Sequence, residues 1–219
     1  PLITPNELKK ESANLLKKTA ANLQKISPVE IKCKVTTGAA IDEILAEEKK
    51  ASFIVMGMKG AGKLNELIIG SITTGVLKRT KKPLLIIPAK AKFKHPKKIV
   101  LATDYDPTTN AKSFNALKKI KKAFNSKVFV VNVRNTKEGI GKENAVAEMK
   151  TESALKDRHH YYFYSEKADL VDGIKDFVQT KKADMIAIIP HKYTFFNNLF
   201  HRSVSKRMAF HTKLPLLAL

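Results

Sequence analysis

Three glycines and a serine in fixed spacing carry the clearest chemistry in this chain: Gly57, Gly60, Gly70 and Ser71, read as G-x2-G-x9-G-S. The apolar run Phe53–Met56 leads in like a strand, and the run 72–80 leaves like a helix. Glycine allows a ligand to approach the backbone where a Cβ would block it. A strand, a glycine-rich bend and a helix N-terminus together form an anion site, because free N–H groups and the helix dipole point at one place. Ser71 stands where an N-cap is expected, with a hydroxyl to offer a phosphate. The expected contacts are Gly57, Met58, Lys59, Gly60, Gly70 and Ser71, with Lys59 or Lys63 as charge partners. A nucleotide is the expected ligand, against a glycine-rich turn that binds nothing.

A second phosphate pattern overlaps the first. Gly57-x4-Gly62-Lys63 follows a P-loop up to its last position, where Leu64 replaces the Ser or Thr that would hold Mg²⁺. That reading also leaves Gly70-Ser71 unexplained.

The full pattern, with strand-like runs at 53–56 and 83–87 on either side, resembles the ATP-binding subgroup of the universal stress protein family. The resemblance implies a small α/β domain with strand order 3-2-1-4-5, in which this loop follows the fourth strand. It implies ATP as the ligand, with or without Mg²⁺, and a stress-response or regulatory role in the cytoplasm. It also implies that an aspartate after the first strand contacts the nucleoside. Asp104 matches that position, although it lies in the other half of the chain from the glycine loop.

The elements that must position the loop can be read in order. Thr4-Pro5-Asn6-Glu7 is a helix start, with Thr4 as cap, Pro5 at the first helical position and Glu7 closing a capping box. Leu8, Leu15, Leu16, Leu23 and Ile26 then share one helical face. A strand over 29–35, a turn at Thr37-Gly38, a helix over about 39–50 and a strand over 53–57 follow. A helix over 71–81 and a strand over 83–87 close the first half. Residues 88–96 are a lysine-rich linker with a proline at each end. The second half reads as five strands, 98–103, 127–133, 159–164, 184–189 and 214–218. Helices over 107–124, 142–156, 169–181 and 203–211 separate them. Asp106 and Pro107 open the first of these helices.

The halves repeat at an offset of 132 residues. Lys49-Lys50-Ala51 matches Lys181-Lys182-Ala183, Ser71 matches Ser203, and Pro83-Leu84-Leu85 matches Pro215-Leu216-Leu217. The expected fold is therefore α/β: two tandem doubly wound parallel-sheet domains of the adenine nucleotide alpha hydrolase-like kind, over 1–88 and 97–219. The second copy has Ile189, Lys192 and Arg202 where the first has Gly57, Gly60 and Gly70, so its site reads as degenerate. The first copy lacks counterparts of strand 98–103, helix 107–124 and strand 127–133, so it reads as incomplete at its N-terminus. The closing strands 83–87 and 214–218 are expected to meet in an intramolecular pseudo-twofold pair.

The remaining signals are weaker. Net charge is +21, with eighteen basic and eight acidic residues in 1–96 and twenty-three and twelve in 97–219. That reads as a solvated basic surface; nucleic acid is disfavoured because arginine is scarce and no aromatic platform interleaves with the lysines. Cys33 lies on the apolar side of the alternating run 29–35 and reads as a packed thiol. His191, His201 and His211 recur at tens, which is no metal-ligand spacing, and no metal site is expected. No run approaches the ~18 apolar residues of a membrane span. A slow ATPase, a scaffold that binds no nucleotide and a homo-oligomer remain as rivals or additions.

Overall fold

In a computed structural model the structure describes residues 4–58, 70–103, 110–133, 149, 151, 153, 155, 160–165, 170–189 and 213–219. The chain divides into two compact units, residues 1–47 and 48–219.

In the first unit, helix α1 spans Pro5–Gln24 and starts as its capping box dictates. The Thr4 hydroxyl accepts from the Glu7 N–H at 3.3 Å, and the Glu7 carboxylate accepts from the Thr4 N–H at 2.8 Å. The backbone bond from Thr4 and then its hydroxyl hold the Glu7 carboxyl below its ordinary value. The apolar face forms, yet no residue of α1 is buried. Leu15 is 66% exposed and Ile26 is 81% exposed.

Residues 29–35 differ from expectation. They are not a strand, since no ladder pairs them among the described residues. Alternation supplies a face, but a strand exists only where a neighbour takes its N–H and C=O groups. Val29 is consequently exposed, and so is Cys33, which is not the packed thiol that its pattern suggested. Gly38 makes the expected turn with φ at 151°, a conformation that side chains resist, and an added Cβ would lie 2.8 Å from the Glu43 carboxylate. Helix α2, Ala40–Glu47, follows with Asp42 and Glu43 in its first turn, where the helix dipole favours them.

The second unit is organised by one sheet. Its strands are β1 (Ile54–Gly57), β2 (Leu84–Ile87), β3 (Lys98–Ala102), β4 (Lys127–Val133), β5 (His160–Ser165), β6 (Met185–Ile188) and β7 (Leu216–Ala218). Their order is β1-β2-β7-β6-β3-β4-β5. Every neighbouring pair is parallel except β2 and β7. Helices α3 (Ser71–Arg79), α4 (Asn115–Phe124) and α5 (Leu170–Lys181) connect strands. This is an α/β fold, and β3 to β7 take the order 3-2-1-4-5 of a doubly wound sheet.

The central strands β3 and β6 are apolar and buried on both faces, as helix-covered parallel strands must be. Ile99, Leu101, Val128, Val130, Ala187 and Leu217 pack with Phe114 and Leu117 into one buried cluster. Each branched side chain so buried contributes about 1.5–3 kcal/mol.

The same register recurs at the offset read in the sequence. Ile54 N–H donates to the Pro83 carbonyl at 2.9 Å, and Ile186 N–H donates to the Pro215 carbonyl at 3.0 Å. The antiparallel contact pairs Leu84 with Ala218, Leu85 with Leu217 and Ile86 with Leu216. Shifting either partner by 132 exchanges the outer two pairs and leaves Leu85–Leu217 at the centre. The lysine-rich linker lies inside this unit, between β2 and β3, because the β2–β7 pairing carries one sheet across it.

Candidate nucleotide site

β1 ends where the glycine segment begins, and α3 starts where it ends. Gly70 N–H donates to the Met58 carbonyl at 2.7 Å, and Met58 N–H donates to the Ile87 carbonyl at 2.7 Å. Met58 is buried. One short bond thus fixes the first and last described residues of the loop against each other, beside β2.

A side chain secures the junction. The Thr73 hydroxyl donates to the Gly57 carbonyl at 2.9 Å, and Thr73 is buried among Val76 and Leu77 on the inner face of α3. The sequence reading missed Thr73. Its signal was a hydroxyl in the first turn at i, i+3 and i+4 to two core residues.

The helix start corrects one assignment. Gly70 is the N-cap of α3, with φ −61° and ψ 152°, and Ser71 is the first helical residue. Gly70 accepts the first helical bond, from Thr74 N–H at 2.9 Å. It has no side chain with which to cap, so the first-turn N–H groups are left to water or an anion. Its dihedrals are open to any residue, so the backbone conformation itself does not demand glycine there.

Gly57, Met58, Gly70 and Ser71 are thus brought together. Lys59, Gly60 and Lys63 lie outside the described residues, as do Asp104, Asp106, Pro107, Lys192, Arg202 and the histidines at 191, 201 and 211. At the position matching Gly57, Ile189 is 3% exposed and belongs to the core cluster. The matched positions thus hold a buried side chain in the second half and an exposed glycine in the first.

Two carboxylates act as clamps rather than as chemistry. Glu48 takes the Thr80 hydroxyl at 2.8 Å and the Lys81 N–H at 3.2 Å, at the C-terminal end of α3 and away from the loop. The Thr80 bond is the main cause that holds the Glu48 carboxyl below its ordinary value, with the Lys81 N–H and the Lys82 and Lys81 charges adding to it against desolvation. Asp184, buried at the start of β6, accepts from Lys98 N–H at 3.0 Å and pairs with the Lys94 ammonium at 2.6 Å.

Residues 3–88 match the Universal stress protein family. That span holds the glycine loop and all four described site residues. A universal stress protein of Methanocaldococcus jannaschii is 33% identical over 90 residues, a match covering 39% of this chain and 56% of that protein, little more than half its length. Among solved structures, a universal stress protein from Archaeoglobus fulgidus superposes with a TM-score of 0.71 at 17% identity, covering 99% of this chain and 80% of that one. A functionally unknown protein from Pseudomonas aeruginosa gives 0.59 at 15% identity, covering 94% and 76%. At such identities these two structures speak for the fold alone, and they agree with the α/β sheet described above. No helix among the described residues is long and apolar enough to cross a membrane.

Proposed function

We propose that this chain is a tandem universal-stress-type protein that binds ATP or a related nucleotide at the glycine loop of its first half, as a nucleotide-dependent stress or regulatory module. The single observation behind this reading is the junction of β1 and α3. The Gly70–Met58 bond brings the loop's two ends to the uncapped N-terminus of α3, in the segment that matches the family. The phosphates take the free first-turn N–H groups of α3, beginning with Ser71, with Gly57, Met58, Lys59, Gly60 and Gly70 along the approach. The halves pair about a pseudo-twofold axis through Leu85 and Leu217, which the self-mapping register of β2 and β7 favours.

Regulation by binding is favoured over phosphoryl transfer. Glu48, a carboxylate bonded at α3, is engaged at the helix end farthest from the loop. The test is nucleotide release: denature the purified intact chain and identify the nucleotide set free. Adenine nucleotide at about one per chain is expected. A chain that carries none and takes up no added ATP would refute the reading, and steady ADP formation would promote the enzyme.

A further inference from the structure

We propose that the linker between β2 and β3 is a docking strip for single-stranded nucleic acid, with phosphates on its lysines and a base on the Phe93 ring. The proposal is separate from nucleotide binding at the glycine loop. Because β2 runs opposite to β7, β6 and β3, the linker leaves and re-enters the sheet at one edge, past the starts of β7 and β6. That crossing covers three strand spacings, about 14 Å. Bonds fix its course. Pro88 and Pro96 are buried at its ends. Lys94 pairs with Asp184 at the start of β6, and the Lys97 ammonium donates to the Phe124 carbonyl at 2.8 Å. The Lys97 carbonyl accepts from the Lys127 N–H at 2.7 Å.

Folding places aromatic rings among these lysines. Phe93 is 82% exposed, between Lys92 and Lys94. Its ring meets His95 at 5.4 Å between centroids, edge to face at 76°, and His95 meets Phe124 at 5.6 Å. Phe124 ends α4, whose last turn carries Lys121 and Lys122. The outermost ring is thus supported from a helix end rather than carried loose on a linker. Nucleic acid is disfavoured on sequence for want of an aromatic platform among the lysines; the fold builds one from residues 93, 95 and 124. Residues 88–103 and 110–133 contain no Asp or Glu, so the potential over this strip is positive. A polymer that alternates phosphate and base matches a strip that alternates ammonium and ring. An anionic membrane would ask for several apolar side chains on one face, whereas Phe93 stands between charged neighbours and leans on an imidazole.

The probe is a fluorescein-labelled oligothymidylate of about twelve nucleotides, added to the intact chain and followed by anisotropy. Heparin, which offers anionic charge without bases, is titrated beside it. Phe93→Ala should weaken the oligonucleotide about tenfold and change heparin by less than about twofold. Lys92→Gln should weaken both, and should lower the slope of log affinity for the oligonucleotide against log salt by about 0.7. The sequence holds no tryptophan, so Phe93→Trp introduces one indole. That variant should bind the oligonucleotide as the native chain does, with its emission quenched by stacked bases and untouched by heparin. Both positions are exposed, so circular dichroism should be unchanged in all three variants. No binding of the oligonucleotide, full affinity in Phe93→Ala, an equal loss toward both polyanions, an unquenched indole, or emission that answers phosphatidylserine vesicles and not the oligonucleotide would each overturn the proposal.

Discussion

β1 and β6 begin with the same hydrogen bond and part company on their far side. β6 lies between β7 and β3, and its residues are buried on both faces; among the described residues β1 is the last strand of the sheet, and Val55 is exposed. Two residues on from Val55, Gly57 is exposed, while its counterpart Ile189 is a buried side chain. The half with the better-packed strand carries a buried side chain at this place, and the half with glycine there has the more exposed strand. Packing and ligand access compete for the same volume at the C-terminal end of a parallel strand.

The largest expected effect comes from putting one charge at both matched positions. Ala187→Asp buries a carboxylate with no partner and should cost at least about 4 kcal/mol, read as loss of the cooperative unfolding transition. Val55→Asp should cost less than about 1 kcal/mol. Equal costs would mean that β1 is as enclosed as β6 and would break the comparison.

Next come the residues that open the two strands. Asp184 holds the first N–H of β3, so Asp184→Ala should cost about 1.5–3 kcal/mol in denaturant unfolding. Ser52, at the matching position, is exposed, and Ser52→Ala should stay within about 0.5 kcal/mol.

The smallest effect is acid sensitivity at the Glu48 clamp. Its folded carboxyl titrates below the ordinary 4.5, so near that pH the unfolded chain binds more protons. The clamp's contribution is present above 4.5 and is lost as pH falls through the lowered folded value. Unfolding curves of the native chain and Glu48→Gln should therefore differ at neutral pH and converge in acid; a constant gap would show that Glu48 is not titrating in the clamp.

The sequence foretold what is local or periodic. The Thr4–Glu7 capping box, the turn at Gly38, the unbroken apolar strands and the repeat register all depend on near neighbours. What it missed depends on remote ones. Residues 29–35 alternate like a strand but find no ladder, and the exposure of Cys33 follows from that. The cap of α3 falls on Gly70 rather than Ser71, a shift of one residue that spacing alone does not resolve. Thr73, Glu48 and Asp184 act on carbonyls and amides brought close only by folding; Asp184 and Lys98 are 86 residues apart. Around the loop, the sequence marked where β1 ends and, to within one residue, where α3 begins, whereas the Gly70–Met58 bond needed coordinates.

Calorimetric titration of ATP with Mg²⁺ into the intact chain, beside Gly70→Val, tests the central claim most directly. Valine tolerates the dihedrals of Gly70, so the domain should stay folded at a cost near 1 kcal/mol for the poorer cap. One site per chain is expected in the native protein, weakened at least about 100-fold in Gly70→Val, or ~2.7 kcal/mol. Unchanged affinity in a folded Gly70→Val, or a second site of equal strength, would contradict the account.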